Sequence, residues 1–280
     1  MNQPKGTLIA IGGALNHRPK EDGSDISPMK AYKTGILNNI IQLFGQKGDP
    51  IIELLTTASL YPDETAKEYR KAFRKIGCKN IGHLKIIKRK DADKNNFTER
   101  LRKCGFILKA GGDQFRLSSV LGGTEFLQVL KQRYENEEFV IGGTSAGAAA
   151  MSSTMISGGA SEHPYLKGGV ELKIGFGLID NVVFDTHFDK RARFGRLFQT
   201  IAGQPGAIGV GLCENAGVII SKGTILKVIG ANSVVIIDGS KITKNNIANI
   251  HEGEPLSVGN VLVHSLSEGD RYDIEKRSLL

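Results

Sequence analysis

The chain has little cysteine, and what it has forms no pattern. Cys78, Cys104 and Cys213 are odd in number and lack metal-site spacing. That excludes a disulfide framework and favours reduced thiols packed in a core. Long apolar runs are missing too: nothing approaches the roughly 18 consecutive apolar residues of a transmembrane helix, so no membrane role is expected. The opening Met1-Asn-Gln-Pro-Lys-Gly6 passes straight into the strand-like Thr7-Leu-Ile-Ala-Ile11, without the basic stretch, apolar core and cleavage site of an export signal. The expected location is the cytoplasm. No Pro- or Ser-rich linker, internal repeat or low-complexity tract divides the 280 residues, 40% of them hydrophobic. The expectation is one α/β domain over 1–280, turning β-rich from about residue 206.

Positive charge is in excess, at +8. One basic run, Lys85, Lys88, Arg89, Lys90 and Lys94, is interrupted by Asp91 and Asp93 and has no interleaved aromatic residue on which a base would stack. It reads as a solvated loop, and no nucleic-acid partner is expected.

What is present alternates. Short apolar runs at Leu8–Ile11, Ile51–Thr56, Leu84–Ile87, Phe106–Ala110 and Phe139–Ile141 are separated by longer amphipathic segments, the pattern of a mostly parallel central sheet with helices on both faces. Ser27-Pro28 offers a helix cap followed by Ile36, Ile40 and Leu43 at helical spacing. A second helix opens at Pro62-Asp63-Glu64, carries Ala66, Tyr69, Phe73 and Ile76, and stops at Gly77. From Gly206 the texture changes to short strands at Ile208–Leu212, Gly217–Ile220, Ile225–Ile229 and Val234–Ile237. These read as β-hairpins that extend the sheet system.

Chemistry concentrates where apolar runs end. Ile141-Gly-Gly-Thr-Ser-Ala-Gly-Ala148 sets Ser145 between glycines on a strand-to-helix turn, where a strained backbone presents a nucleophile. The spacing alone also fits a packing turn. Gly111-Gly112-Asp113-Gln114 follows another strand, so the two turns share one crevice at carboxyl strand ends. The backbone N–H groups of Gly112 and Ala146 then become candidate donors to an oxyanion. Of six histidines, His17 and His83 lie upstream in loop- or strand-like settings, His163 is in a loop, and His251 and His264 fall in the C-terminal hairpins. His187 instead follows the strand-like Val182–Asp185 and precedes a segment with Arg191, Arg193 and Arg196, which makes it the candidate base. On a regular helix Arg193 and Arg196 share a face and Arg191 stands about 160° from Arg193. Guanidinium forks suit carboxylates. Glu214, at the end of a further strand, is the candidate orienting acid. The order Ser145, His187, Glu214 departs from an ordinary α/β-hydrolase, whose acid precedes its histidine.

Gly111-Gly-Asp-Gln114, Gly143-Thr-Ser-Ala-Gly-Ala-Ala149, Asp185-x-His-Phe-x-x-Arg-x-Arg-x-x-Arg-Leu197 and Gly209-x-Gly-x-x-Glu214 resemble, in order and separation, the motifs of the cyanophycinases, in the serine peptidase family that includes the aspartyl dipeptidase peptidase E. The resemblance spans about residues 6 to 240. It implies Ser145 as nucleophile, His187 as base, Glu214 as acid, and Gln114, Asp185, Arg191, Arg193 and Arg196 as the substrate pocket, with Asp185 meeting an arginine side chain and the arginines meeting carboxylates. It implies a serine exopeptidase that cuts the backbone of cyanophycin, poly-aspartate with arginine on each β-carboxylate, to β-Asp-Arg dipeptides through an acyl-enzyme, with no metal or organic cofactor, and by family analogy a homodimer. An aspartyl or isoaspartyl dipeptidase and a non-catalytic binding module are the alternatives. Thr186, Cys213 and Asn215 depart from the cyanobacterial pattern and bear on substrate preference.

Overall fold

The computed structural model describes residues 3–13, 35–45, 49–159, 163, 165–190 and 193–280. Its first half alternates strands β1 (Thr7–Ile11), β2 (Ile52–Leu55), β3 (Ile81–Leu84), β4 (Phe106–Lys109) and β5 (Val140–Thr144) with helices α1 (Ile36–Gln42), α2 (Pro62–Lys75), α3 (Arg89–Ala92), α4 (Asn95–Lys103), α5 (Gln114–Leu121) and α6 (Glu125–Asn136). There follow α7 (Ala146–Ala149), the hairpin β6 (Thr154–Gly159) and β7 (Val170–Ile174), then β8 (Val182–Thr186) and α8 (Phe194–Gly203). The remainder is β9 (Ile208–Leu212), β10 (Ala216–Ser221), β11 (Ile225–Gly230), β12 (Val234–Asp238), β13 (Lys244–Asn245), β14 (Val258–Gly259), β15 (Leu262–Leu266), β16 (Arg271–Asp273) and β17 (Ser278–Leu279).

One sheet runs β17-β16-β11-β10-β1-β5-β4-β2-β3. It is parallel from β1 to β3 and antiparallel from β1 outward through β10. Alternation of side chains across the pleat loads both faces. Leu8, Ala10, Ile107 and Ile141 enter one core, while Ile9, Ile11, Phe106, Leu108 and Val140 enter the other. At roughly 1.5–3 kcal/mol for each large apolar side chain removed from water, these two layers fix the strand register. The first core runs on without a break into a second sheet, β15-β12-β9-β8, through Val182, Val210 and Ile236.

The α/β expectation holds, with three local corrections. Only part of the C-terminal β region extends the first sheet: β9, β12 and β15 join β8 in the second, and β9 lies parallel to β8 instead of forming a hairpin. The third strand is Ile81–Leu84, not Leu84–Ile87. Ile81 to Leu84 pair with Ile52 to Leu55 at the sheet edge, and the Ile86 N–H bonds back to the Leu84 carbonyl, turning the apolar run out of the sheet. Helix α1 buries Ile36 and Ile40, but Leu43 is 42% exposed, and the cap expected at Ser27-Pro28 lies outside the described residues. Helix α2 follows its chemistry: proline in the first turn, Asp63 and Glu64 at its positive end, Arg74 and Lys75 at its negative end, and Ala66, Tyr69 and Phe73 buried. Among the described residues no helix is long and apolar enough to cross a membrane.

Candidate active site

The site gathers where β1, β4, β5, β8 and β9 end. Ser145 directly follows β5 with φ 52° and ψ −115°, a left-handed conformation costing on the order of 1–3 kcal/mol in a residue with a side chain. Two constraints hold it there. Its N–H donates to the Ile11 carbonyl at 2.9 Å, and the turn is so tight that a Cβ on Gly143 would stand 2.2 Å from the Gly147 carbonyl oxygen.

Ser145 Oγ lies 2.9 Å from His187 Nε2, and His187 Nδ1 lies 3.1 Å from Glu214 Oε1. The three candidates named from sequence are therefore in hydrogen-bonded series. The imidazole and the carboxylate are each about four-fifths buried, which limits competition from water. Gly111 abuts the serine, since a Cβ there would meet Ser145 Cβ at 3.2 Å. Next to it, the N–H groups of Gly112 and Ala146 donate to no acceptor among the described residues. This arrangement is chemically able to remove a hydroxyl proton and hold negative charge on an adjacent oxygen.

A cavity of about 250 Å³ opens beside the serine, lined by residues that include Gly112, Gln114, Asp185, Arg193 and Arg196. Gln114 donates its amide to the carbonyls of Ile156 at 3.0 Å and Ser157 at 3.1 Å. Both N–H bonds are thereby spent, and its oxygen is what remains to offer. Asp185 differs from expectation. Its carboxylate takes a two-point fork from Arg196, a bond from Arg193 Nη1 at 3.3 Å and one from the Thr186 N–H at 2.8 Å, so its bonds in this structure go to the chain's own arginines and backbone. It serves as counter-ion to two arginines that line the cavity. The helix expected to carry all three arginines begins only at Phe194, with Arg193 at its cap. Arg191 lies outside the described residues, as does His17.

Other histidines have other partners: His83 Nε2 lies 2.8 Å from Thr56 Oγ1, and His264 packs on Tyr272. Cys213 is a buried thiol, its pKa raised by burial and by the nearby Asp189 carboxylate. Among the described residues no group of three or more His, Cys, Asp or Glu side chains is placed to hold a metal. Two contributors escape a reading by motif. Asp189 Oδ1 accepts from the Glu214 N–H at 3.0 Å, and Asn232 bonds both Asp189 Oδ2 and the Glu214 carbonyl. The only sequence signal for Asp189 is its place two residues after His187.

A mixed sheet that presents a serine, an imidazole and a carboxylate in this series defines a serine hydrolase of the α/β class. The sequence profile of peptidase family S51 matches residues 23–228, and the chain belongs to that family of serine peptidases. It is 34% identical over 270 residues to the cyanophycinase of Synechococcus elongatus, covering 96% of this chain and 80% of that one. It is also 34% identical over 285 residues to the cyanophycinase of Trichormus variabilis, covering 100% and 90%. Among solved structures, a peptidase from an acI-B1 Actinobacterium matches with TM-score 0.64 and 22% identity over 98% of each chain. A putative peptidase E from Listeria monocytogenes matches with TM-score 0.50 and 16% identity over 81% of this chain and 99% of that one. At these identities the solved structures bear on the fold alone.

Proposed function

We propose that this peptidase hydrolyses the backbone of cyanophycin to β-Asp-Arg dipeptides through an acyl-enzyme on Ser145. The observation that carries the proposal is the Ser145, His187 and Glu214 series opening on a cavity lined by Gln114, Arg193 and Arg196. The kinship with cyanophycinases supports the choice of polymer.

In the proposed reaction Ser145 Oγ attacks a backbone carbonyl of the polymer while its proton passes to His187 Nε2. Glu214 stabilises the imidazolium, and the N–H groups of Gly112 and Ala146 receive the oxyanion. The imidazolium returns the proton to the leaving amine. Water, deprotonated by the same imidazole, then releases the acyl group. Each repeat of the substrate carries an α-carboxylate and a guanidinium on its arginine. The Arg193 guanidinium, which lines the cavity, suits the carboxylate, and with Asp185 engaged by two arginines, the Gln114 oxygen is the acceptor for the guanidinium. The proposal extends to one α/β domain over 1–280, action in the cytoplasm, and no metal or organic cofactor.

The test is a parallel digestion of cyanophycin, poly-aspartate and plain Asp-X and isoaspartyl dipeptides by the purified protein. Release of β-Asp-Arg from cyanophycin, with the others cut poorly, is expected. Preference for a dipeptide overturns the substrate and leaves the serine chemistry. Failure of Ser145 to react with a fluorophosphonate overturns that chemistry as well.

A further inference from the structure

Three consecutive residues at the carboxyl end of β1 meet all three elements of the site. The Ile11 carbonyl accepts the Ser145 N–H at 2.9 Å, the Gly12 carbonyl accepts the His187 N–H at 2.8 Å, and the Gly13 carbonyl accepts the Asn215 N–H, next to Glu214, at 3.3 Å. Ser145, His187 and Asn215 have φ values of 52°, 51° and 57°. Each is thus a residue with a side chain held in the sparsely populated left-handed region, which persists only where surrounding bonds over-determine it. One short stretch of backbone supplies a bond to each.

Gly13 adds a second constraint. Its φ is +126°, and a Cβ on it would stand 2.3 Å from His187 Cε1, 2.7 Å from Nε2 and 2.8 Å from Nδ1. Near contact with three atoms of one ring means that the Gly13 α-carbon lies against the imidazole. Any side chain would have to displace that ring. The ring's two nitrogens are bonded at opposite ends, to Ser145 at 2.9 Å and to Glu214 at 3.1 Å, so a displacement that keeps one bond lengthens the other.

We infer that Gly13 is a positioning residue of this peptidase: its bare α-carbon is the seat that holds the His187 imidazole between Ser145 and Glu214, while Ile11, Gly12 and Gly13 together tie the three site loops to one strand end. The inference rests on the serine, histidine and glutamate reading and goes beyond it by assigning Gly13, which acts only through the imidazole it packs against.

The experiment is a double-mutant cycle of Gly13→Ala with His187→Ala, read by kcat and KM on cyanophycin and by the rate of fluorophosphonate labelling of Ser145. Gly13→Ala alone should lower kcat and labelling about 100-fold, the scale of an ångström-sized misplacement, with KM within about three-fold because the cavity floor is untouched. In the His187→Ala background, where no ring remains to displace, Gly13→Ala should change the residual rates less than about three-fold. Equal losses in both backgrounds, or no loss in the first, overturn the inference. Should the alanine variant not fold, the wild type still decides. With ¹³C-labelled glycine, the Gly13 α-proton resonances should be displaced by the ring current of the adjacent His187 imidazole, and this displacement should vanish in His187→Ala; a Gly13 that does not respond to loss of the ring overturns the seat. Ser145→Ala and His187→Ala, assayed alongside, separate the failures. If they retain activity the serine reading falls, whereas if they are inactive and Gly13→Ala is not, only the positioning role falls.

Discussion

Arg196 grips Asp185 in a fork, with Nε donating to Oδ2 at 2.6 Å and Nη2 donating to Oδ1, and the two side chains are only 7% and 1% exposed. Removing one partner of a buried pair strands the other charge, a loss of about 3–5 kcal/mol. Asp185→Asn should therefore lower the free energy of unfolding by about that much, measured by urea denaturation. A loss below about 1 kcal/mol means that the pair is solvated and Asp185 is available to substrate after all.

Arg193 sits at the cap of α8 and donates to Asp185 and to the Thr186 carbonyl. If it also receives the substrate carboxylate, Arg193→Lys should reduce kcat/KM on cyanophycin by about ten-fold or more, because an ammonium keeps the charge but loses the planar fork. Arg196→Lys should instead act mainly on stability. Reversed outcomes, with stability lost at Arg193 and substrate affinity lost at Arg196, would exchange the two roles.

At φ 52° Ser145 is strained, so nucleophile and strain can be separated by two substitutions. Both Ser145→Ala and Ser145→Gly should abolish fluorophosphonate labelling and polymer cleavage. The glycine variant should be the more stable by about 1 kcal/mol, since glycine alone adopts this conformation without penalty. Comparison of their melting temperatures is the check, and a less stable glycine variant argues against stored strain.

Glu214→Gln should leave folding intact and lower kcat on the order of 10³- to 10⁴-fold, because an amide facing Nδ1 neither stabilises the imidazolium nor selects its tautomer. Circular dichroism verifies the fold and a progress curve on cyanophycin gives kcat. Asp189→Ala, which frees the Glu214 backbone N–H from its acceptor, should show a smaller loss in the same direction. Unchanged kcat in Glu214→Gln would move the acid's role elsewhere.

Much of this site is legible in the sequence because its residues stand at the ends of apolar runs, followed by a glycine-rich turn at Ser145 and by clustered arginines at His187, and that pattern marks strand ends in a parallel sheet. Ser145, His187 and Glu214 are found this way, and the structure brings them into contact. The engagement of Asp185 is not legible: spacing places it near arginines without saying whether it faces them or the substrate. Gly12-Gly13 follows β1 as Gly111-Gly112 follows β4, so the signal exists, but a glycine's close approach to a ring 174 residues away is a property of the tertiary fold. The two-sheet arrangement is hidden for a similar reason, since β9 and β10 are equally apolar and only their partners separate them.

Lys109 ends β4 wholly inside the core, with no hydrogen-bond partner for Nζ among the described residues and the Phe176 ring 5.2 Å away. Burial lowers its pKa from 10.5 to about 7. Between these values the unfolded chain binds a proton that the folded chain does not, so this group's contribution to stability rises with pH across the window. At high pH both states are neutral and the charge penalty vanishes; below about pH 7 both are protonated and the penalty is at its full size. Lys109→Met fills similar volume without a charge and should stabilise the protein at pH 7 by about 2 kcal/mol or more, roughly 4–8 °C in Tm. The gain should shrink steadily when urea unfolding of wild type and variant is compared at about pH 8.5 and then about pH 10. A gain that stays constant across that range would mean that Lys109 is charged in the folded core, with a partner such as bound water.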